Sequence, residues 1–294
     1  MSYRPARLIR PQEHQIQQMT LEQKGLAFKD ILADGLHGLC YSAYEEGQEP
    51  GTVLSIEQIR RRMAIIAPHT KWIRSFSCIE GNEHIPVVAK EMGLKTLVGA
   101  WLGDDKELIE QEIEGLIKLA KDGYVDIAAV GNEVLYRGDL TEDELLEYII
   151  LVKEALPDVQ VGYVDAYYEF SIKPRITEAC DVILANCYPY WEGTHIDYSL
   201  MHAKQMYYQA MAAGKGKKVI ITESGWPSQG TGLDAAEPSH ENALRYFLNL
   251  QQWTANEGIE LFYFSSFDEA WKVGPEGDVG AYWGIWDSKE QLKF

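Results

Sequence analysis

Val219-Ile220-Ile221-Thr222-Glu223-Ser224-Gly225-Trp226-Pro227 runs three β-branched apolar residues straight into a threonine and a carboxylate, then a glycine, a tryptophan and a proline. A short apolar run bounded by turn residues reads as a buried strand, and this one ends by delivering Glu223 to a rim. Asp126-Ile127-Ala128-Ala129-Val130-Gly131-Asn132-Glu133-Val134 repeats the pattern and closes on an Asn-Glu pair. Two strands of the chain are therefore expected to finish in a carboxylate.

Outward from these two runs, strand and helix patterns alternate from Leu36 onward. Strands are expected at 36–41, 71–76, 94–101, 126–132, 159–164, 181–186, 218–222 and 261–265, and helices at 55–66, 82–92, 105–121, 141–155, 172–179, 202–213 and 241–255. Ser55 reads as an N-cap, Thr141 and Glu144 as a capping box, and Gly93 and Pro157 as stops. The helix at 105–121 shows one apolar stripe of Leu108, Ile109, Ile113, Leu116, Ile117 and Ala120. The tail after residue 265 is rich in Gly and Trp and has no helical period.

Eight strands, each followed by a helix or its vestige, indicate an α/β chain folded as a single-domain (β/α)8 TIM barrel over residues 35–294. An open doubly wound sheet would place a glycine-rich phosphate loop after its first strand, and the chain there reads Ser42-Ala43-Tyr44-Glu45-Glu46. Residues 1–34 are polar and Gln-rich and read as an N-terminal extension, with Thr20 opening a short helix. In a barrel, catalytic groups stand at the C-terminal ends of strands, and Glu133 and Glu223 fall there on the fourth and seventh.

The composition is that of a globular enzyme: 294 residues, 46% hydrophobic, 24% charged and 11% aromatic. A formal charge of −18 disfavours nucleic acid, whose binders present basic stripes, and favours a neutral or cationic ligand. Cys180 and Cys187 bracket one expected strand, about 23 Å apart at ~3.3 Å per residue, so they do not pair; Cys40 and Cys78 are expected as buried thiols. Residues 1–10 hold three arginines and no apolar run, so neither a signal peptide nor a membrane span is expected in this chain. A periplasmic or secreted protein would have lost its leader. No segment reads as an obligate interface, and a monomer is expected.

Two carboxylates at a barrel rim suit glycoside hydrolysis. One protonated carboxyl hands a proton to the leaving oxygen, and a second, ionised one attacks the sugar or activates water. A metal-dependent barrel enzyme would need His and Asp ligands at strand ends, and the histidines here, His37, His84, His195, His202 and His240 among them, show no ligand spacing, so neither metal nor cofactor is expected. A non-catalytic carbohydrate-binding barrel is the remaining alternative, and the presence of both carboxylates speaks against it.

Cys40-Tyr41, Ile73-Arg74-Ser75-Phe76, Val130-Gly131-Asn132-Glu133-Val134, Tyr188-Pro189-Tyr190 and Thr222-Glu223-Ser224-Gly225-Trp226-Pro227-Ser228, in this order, resemble glycoside hydrolase family 17. The resemblance spans about Leu36 to Trp286 and implies a retaining (β/α)8 enzyme acting on β-1,3-glucan, either a hydrolase or a β-1,3-glucanosyltransferase. It further implies Glu133 as general acid/base, Glu223 as nucleophile, and Asn132 beside the sugar 2-hydroxyl. Phe267-Asp268-Glu269-Ala270-Trp271-Lys272 resembles the family's segment after the eighth strand, which implies Glu269 and Lys272 near the catalytic pair. A lysine there would hold Glu223 ionised, while burial beside a second carboxylate would keep Glu133 protonated. Tyr41 and Arg74 match cleft positions of the family. Asp165, ending the fifth strand, and the aromatics Trp101, Tyr188, Tyr190 and Trp226 are further candidates for substrate binding, since flat faces stack on sugar rings. The insert after Tyr41 and the motif Gly99-Ala100-Trp101-Leu102 resemble bacterial members more than the plant endoglucanases, leaving endo and exo action both open.

Overall fold

A computed structural model describes residues 11–274 and 276–294. Two helices, α1 (Pro11–Gln18) and α2 (Leu21–Asp34), precede the first strand. There follow β1 (Leu36–Cys40), α3 (Ile56–Ile66), β2 (Thr70–Ser75), α4 (His84–Glu91), β3 (Lys95–Ala100), α5 (Lys106–Lys121) and β4 (Ile127–Asn132). The second half runs α6 (Val134–Arg137), α7 (Glu142–Ala155), β5 (Gln160–Ala166), α8 (Glu169–Ile172), α9 (Pro174–Ala179), β6 (Val182–Asn186), α10 (Ile196–Ala213), β7 (Lys218–Ser224), α11 (His240–Glu257) and β8 (Leu261–Tyr263). All eight strands pair in parallel in sequence order, and β8 pairs with β1 to close the barrel. The (β/α)8 expectation is met.

Strand interiors such as Val182–Asn186 are buried throughout, because a parallel barrel wall has side chains packed on both faces. The helices present amphipathic stripes: α5 buries Ile109, Ile113, Leu116 and Ala120 and starts on Asp105, whose side chain accepts from the amides of Glu107 and Leu108. Thr141 and Glu144 form the expected capping box on α7.

Several boundaries move. The helix expected at 172–179 is two, because Pro174 bars its preceding residue, Lys173, from the helical region and splits α8 from α9. The helix expected from residue 202 begins at Ile196, capped by His195, six residues before its apolar pattern becomes regular. The strand expected to reach residue 265 pairs only as far as Tyr263, and the chain beyond follows irregular turns containing short 3-10 helices.

Among the described residues no α-helix follows β8, in keeping with a tail that lacks a helical period. In the segment before residue 35, α2 opens on a Thr20–Gln23 capping box and lies against α11. Phe28 of α2 is fully buried, its ring 4.8 Å from that of Phe247 on α11 and 5.2 Å from Phe294, and Lys24 pairs with Glu241 at 2.6 Å. The N-terminal helix thus packs in the outer helical layer. All four cysteines are buried and free.

The ladder slips in three places, between Ala129 and Asn132 in β4, between Ala185 and Asn186 in β6, and between Ile221 and Ser224 in β7. Such irregularities re-aim side chains at barrel rims, and these three surround Glu133, Asn186 and Glu223.

Candidate active site

At the end of β4 the backbone turns through two left-handed residues, Gly131 at φ 84° and Glu133 at φ 53°. Gly131 is required on two counts, since its conformation disfavours any side chain and a Cβ there would lie 2.6 Å from Val134 Cγ2. Glu133 has no such exemption. A non-glycine residue held in this region stores of order 1–3 kcal/mol of strain that its surroundings must offset. Its amide donates to the Val164 carbonyl of β5 at 2.8 Å, and the turn points both Asn132 and Glu133 into one cavity.

Glu223, near the end of β7, faces the same cavity and is nearly buried. Its Oε1 accepts from Arg74 Nη1 at 2.5 Å and its Oε2 from the Tyr188 hydroxyl at 2.7 Å. Arg74 Nη2 donates in turn to Asn132 Oδ1 at 2.7 Å, so one buried guanidinium spans the strand ends that carry the two carboxylates. On the other side, Asn186 Nδ2 donates to Glu133 Oε1 at 2.8 Å, and Asn186 Oδ1 accepts from the Thr222 hydroxyl at 2.9 Å. The two carboxylates are thus held by separate hydrogen-bonded sets, which meet only through the chain neighbours Asn132-Glu133 and Thr222-Glu223, and they sit in unequal environments. Burial, with the Glu223 charge adding to it, pushes the Glu133 carboxyl above the ordinary range against the opposing bond from Asn186.

The cavity measures about 1050 Å³. Of the residues expected at the site, Asn132, Glu133, Glu223, Trp101, Tyr188, Glu269, Lys272 and Tyr41 line it. Arg74 lies beneath them, holding Glu223 and Asn132 from below. Lys272 lines the same cavity as Glu223, paired with Glu269 at 3.1 Å and 4.2 Å above the Phe264 ring, and the cation in direct contact with Glu223 is Arg74. Tyr41 reaches the wall without offering its hydroxyl, which donates to the Ile59 carbonyl at 3.0 Å.

Asp165, Tyr190 and Trp226 are not on the cavity wall. Side chains alternate along β5, so Ala166 faces the cavity while Asp165, fully buried, points with Tyr163 toward the helical layer. Trp226 donates its indole N–H to the Glu237 carbonyl at 3.0 Å and packs on the rings of Tyr190 and Tyr246, while the Tyr190 hydroxyl donates to the Thr231 carbonyl. Both are supports of the β6 and β7 loops.

Sequence reading passed over several residues of the wall. Asn186, which holds Glu133, stands immediately before Cys187-Tyr188-Pro189, and its place at a strand end was the available signal. Glu112, on α5, accepts from Ser77 Oγ at 2.5 Å and from the Cys78 amide at 2.7 Å, and burial pushes its carboxyl up to about 7. Trp283 and Glu276 come from the tail that showed no period; burial pushes Glu276 up to about 7 as well. Among the described residues no three His, Cys, Asp or Glu side chains group as a metal site, and no helix is long and apolar enough to cross a membrane.

The BtgE/BtgC glycoside hydrolase domain family matches residues 38–284. The chain is 26% identical to a glucan 1,3-beta-glucosidase of Saccharomyces cerevisiae, over 83% of this chain and 86% of that one. It is 30% identical to a glucan 1,3-beta-glucosidase of Arthroderma benhamiae, over 70% of this chain and 72% of the relative. The crystal structure of a glycoside hydrolase family 17 beta-1,3-glucanosyltransferase from Rhizomucor miehei superimposes with a TM-score of 0.78 at 28% identity, covering 88% of this chain and 96% of that one. These relatives are fungal, so the resemblance to bacterial members finds no support in them. The chain is a glycosidase on a (β/α)8 barrel and belongs to the BtgE/BtgC glycoside hydrolase domain family, as the resemblance to glycoside hydrolase family 17 implied.

Proposed function

We propose that the chain cleaves β-1,3-glucan with retention of configuration, Glu223 acting as nucleophile and Glu133 as acid/base. The asymmetry of the two carboxylates carries this reading. Glu223 meets a guanidinium and a phenol, donors that suit an anion, whereas Glu133 is half-buried near that anion with its carboxyl pushed upward, as a proton donor must be. A Glu223 oxygen attacks C1 of the sugar, and the electron pair of the broken C1–O bond stays on the departing oxygen, which takes the proton of Glu133. In the second step Glu133, now a carboxylate, removes a proton from the incoming hydroxyl, whose oxygen displaces Glu223 from C1.

Asn132, Trp101, Tyr188, Glu269 and Lys272 are the proposed substrate contacts, with Tyr41 and Arg74 shaping the floor. The relatives named as glucan 1,3-beta-glucosidases support the linkage. The incoming hydroxyl belongs to water in a hydrolase and to a second glucan in a transferase. The transferase reading is favoured by the 28% identical beta-1,3-glucanosyltransferase structure, of which this chain covers 96%.

A product time course on laminarin, resolved by chain length beside a Glu223→Ala blank, tests the assignment. Products longer than the substrate identify a transferase, mixed shorter ones an endo-hydrolase, and a single short sugar an enzyme acting from the chain end. Identical traces from parent and Glu223→Ala would refute the proposal.

A further inference from the structure

The turn that presents Glu133 is held on its buried side by a hydroxyl and carboxylate that never reach the cavity. Tyr163 and Asp165 stand two residues apart on β5 and share one face of it. The Tyr163 hydroxyl donates to Asp165 Oδ2 and accepts from the Leu135 amide at 2.9 Å. Asp165 Oδ1 accepts from its neighbour's amide, Ala166 N, at 2.7 Å, which fixes the carboxylate plane. Between them in sequence, Val164 offers its carbonyl to the Glu133 amide.

Leu135 is the second residue of α6, so its N–H has no partner within the helix, and Tyr163 supplies one. The left-handed Glu133 is thus gripped at its own amide and at the amide two residues later, both times by β5. Both side chains of the pair are buried, and neither contacts the cavity. A carboxyl group taken out of water without touching ligand is costly unless its neighbours satisfy it, and Asp165 accepts on one oxygen from the Tyr163 hydroxyl that holds Leu135 and on the other from the Ala166 amide.

We infer that Tyr163 and Asp165 are positioning residues for the acid/base group: they lock the strained turn so that the Glu133 carboxyl stands at the leaving oxygen. The inference rests on the reading of Glu133 as acid/base. Arg137 braces the same turn from the exposed side, donating to the Asn132 carbonyl, so loss of the buried pair loosens the turn without releasing it.

The test compares two substrates on Tyr163→Phe, Asp165→Asn and Glu133→Gln: a laminari-oligosaccharide, whose leaving sugar must be protonated, and a 2,4-dinitrophenyl β-laminaribioside, whose leaving group departs without help. The burst of dinitrophenolate isolates the first chemical step. Glu133→Gln should lose roughly 10²–10⁴-fold on the oligosaccharide, the span of general acid catalysis, and keep most of its burst rate. Tyr163→Phe should lose about 10–100-fold in kcat on the oligosaccharide with KM little changed, and less than about threefold in the burst, since a small misplacement of a reacting group has that cost. Asp165→Asn should fall in the same direction and by less. Its amide can offer an oxygen to Tyr163 only by turning an N–H toward the Ala166 amide, or else it leaves the phenol proton unpartnered.

Equal losses on both substrates in Tyr163→Phe and Asp165→Asn would show a merely structural pair and overturn the inference, as would no loss on either. If Glu133→Gln itself loses both substrates alike, the acid/base reading falls and this inference with it, an outcome distinguishable from failure of the pair alone.

Discussion

Replacing Arg74 by methionine removes a charge that the structure gives two duties. Arg74 is 2% exposed and Glu223 6%, and the guanidinium reaches Glu223 Oε1 at 2.5 Å and Asn132 Oδ1 at 2.7 Å. Methionine keeps much of the volume, so the change is chiefly electrostatic. Removing one partner of a buried pair leaves the other charge uncompensated and costs about 3–5 kcal/mol. At roughly 2 °C per kcal/mol for a chain of this size, Arg74→Met should melt about 6–10 °C below the parent. The cost belongs to the pair. In a Glu223→Gln background the anion that Arg74 pairs with is gone, and the same substitution should be nearly neutral, giving a coupling of about 3–5 kcal/mol in a double-mutant cycle followed by urea unfolding. Activity on laminarin should drop with the stability, because Glu223 and Asn132 both lose the donor that orients them. A loss below about 1 kcal/mol, or an equal loss in both backgrounds, would refute the assignment of Arg74 as the partner of Glu223.

The two tryptophan environments separate support from contact: Trp226→Ala should cost about 3–5 kcal/mol in urea melts, whereas Trp101→Ala, 40% exposed on the cavity wall, should leave stability within about 1 kcal/mol and raise KM. Gly81→Ala tests how the first two rim loops are joined, since Gly81 has φ 87° and a Cβ would lie 2.2 Å from the Leu54 carbonyl oxygen; a loss of about 1–3 kcal/mol with a weaker KM is expected, and unchanged values would show the loops to be independent. Burial raises Asp165 and Glu112 to about 7, so between about pH 4 and pH 7 the folded chain holds protons that the unfolded chain releases, and stability falls as pH rises through that window. Melting temperatures should therefore be higher near about pH 5 than near about pH 8, and Glu112→Gln should flatten the slope; a melting temperature that climbs over the window would contradict it.

The repeat of apolar run and turn was legible because parallel strands buried on both faces leave little freedom of composition, and the expected strands fall within two residues of those observed at every end. The weakest expectations lay where local pattern is not what decides. Asp165 and Tyr190 looked like rim residues because each stands at or just past a strand end, yet one step of the two-residue alternation turned Asp165 away from the cavity. Trp226 follows Gly225, where a Cβ would meet the Phe264 carbonyl at 2.1 Å, and that close approach carries the indole behind the wall.

By itself the sequence determined the barrel and the two carboxylates. Hydrophobic period, caps and turns are local properties written in consecutive residues, and Asn132-Glu133 and Glu223-Ser224-Gly225-Trp226 stand at strand ends whatever else the chain does. Only the tertiary structure decided that Arg74 rather than Lys272 touches Glu223, that Asn186 holds Glu133, and that α2 lies on α11. These pairings join residues far apart in the chain, and closure of the barrel, with the three slips in its ladder, sets which side chains meet across its rim.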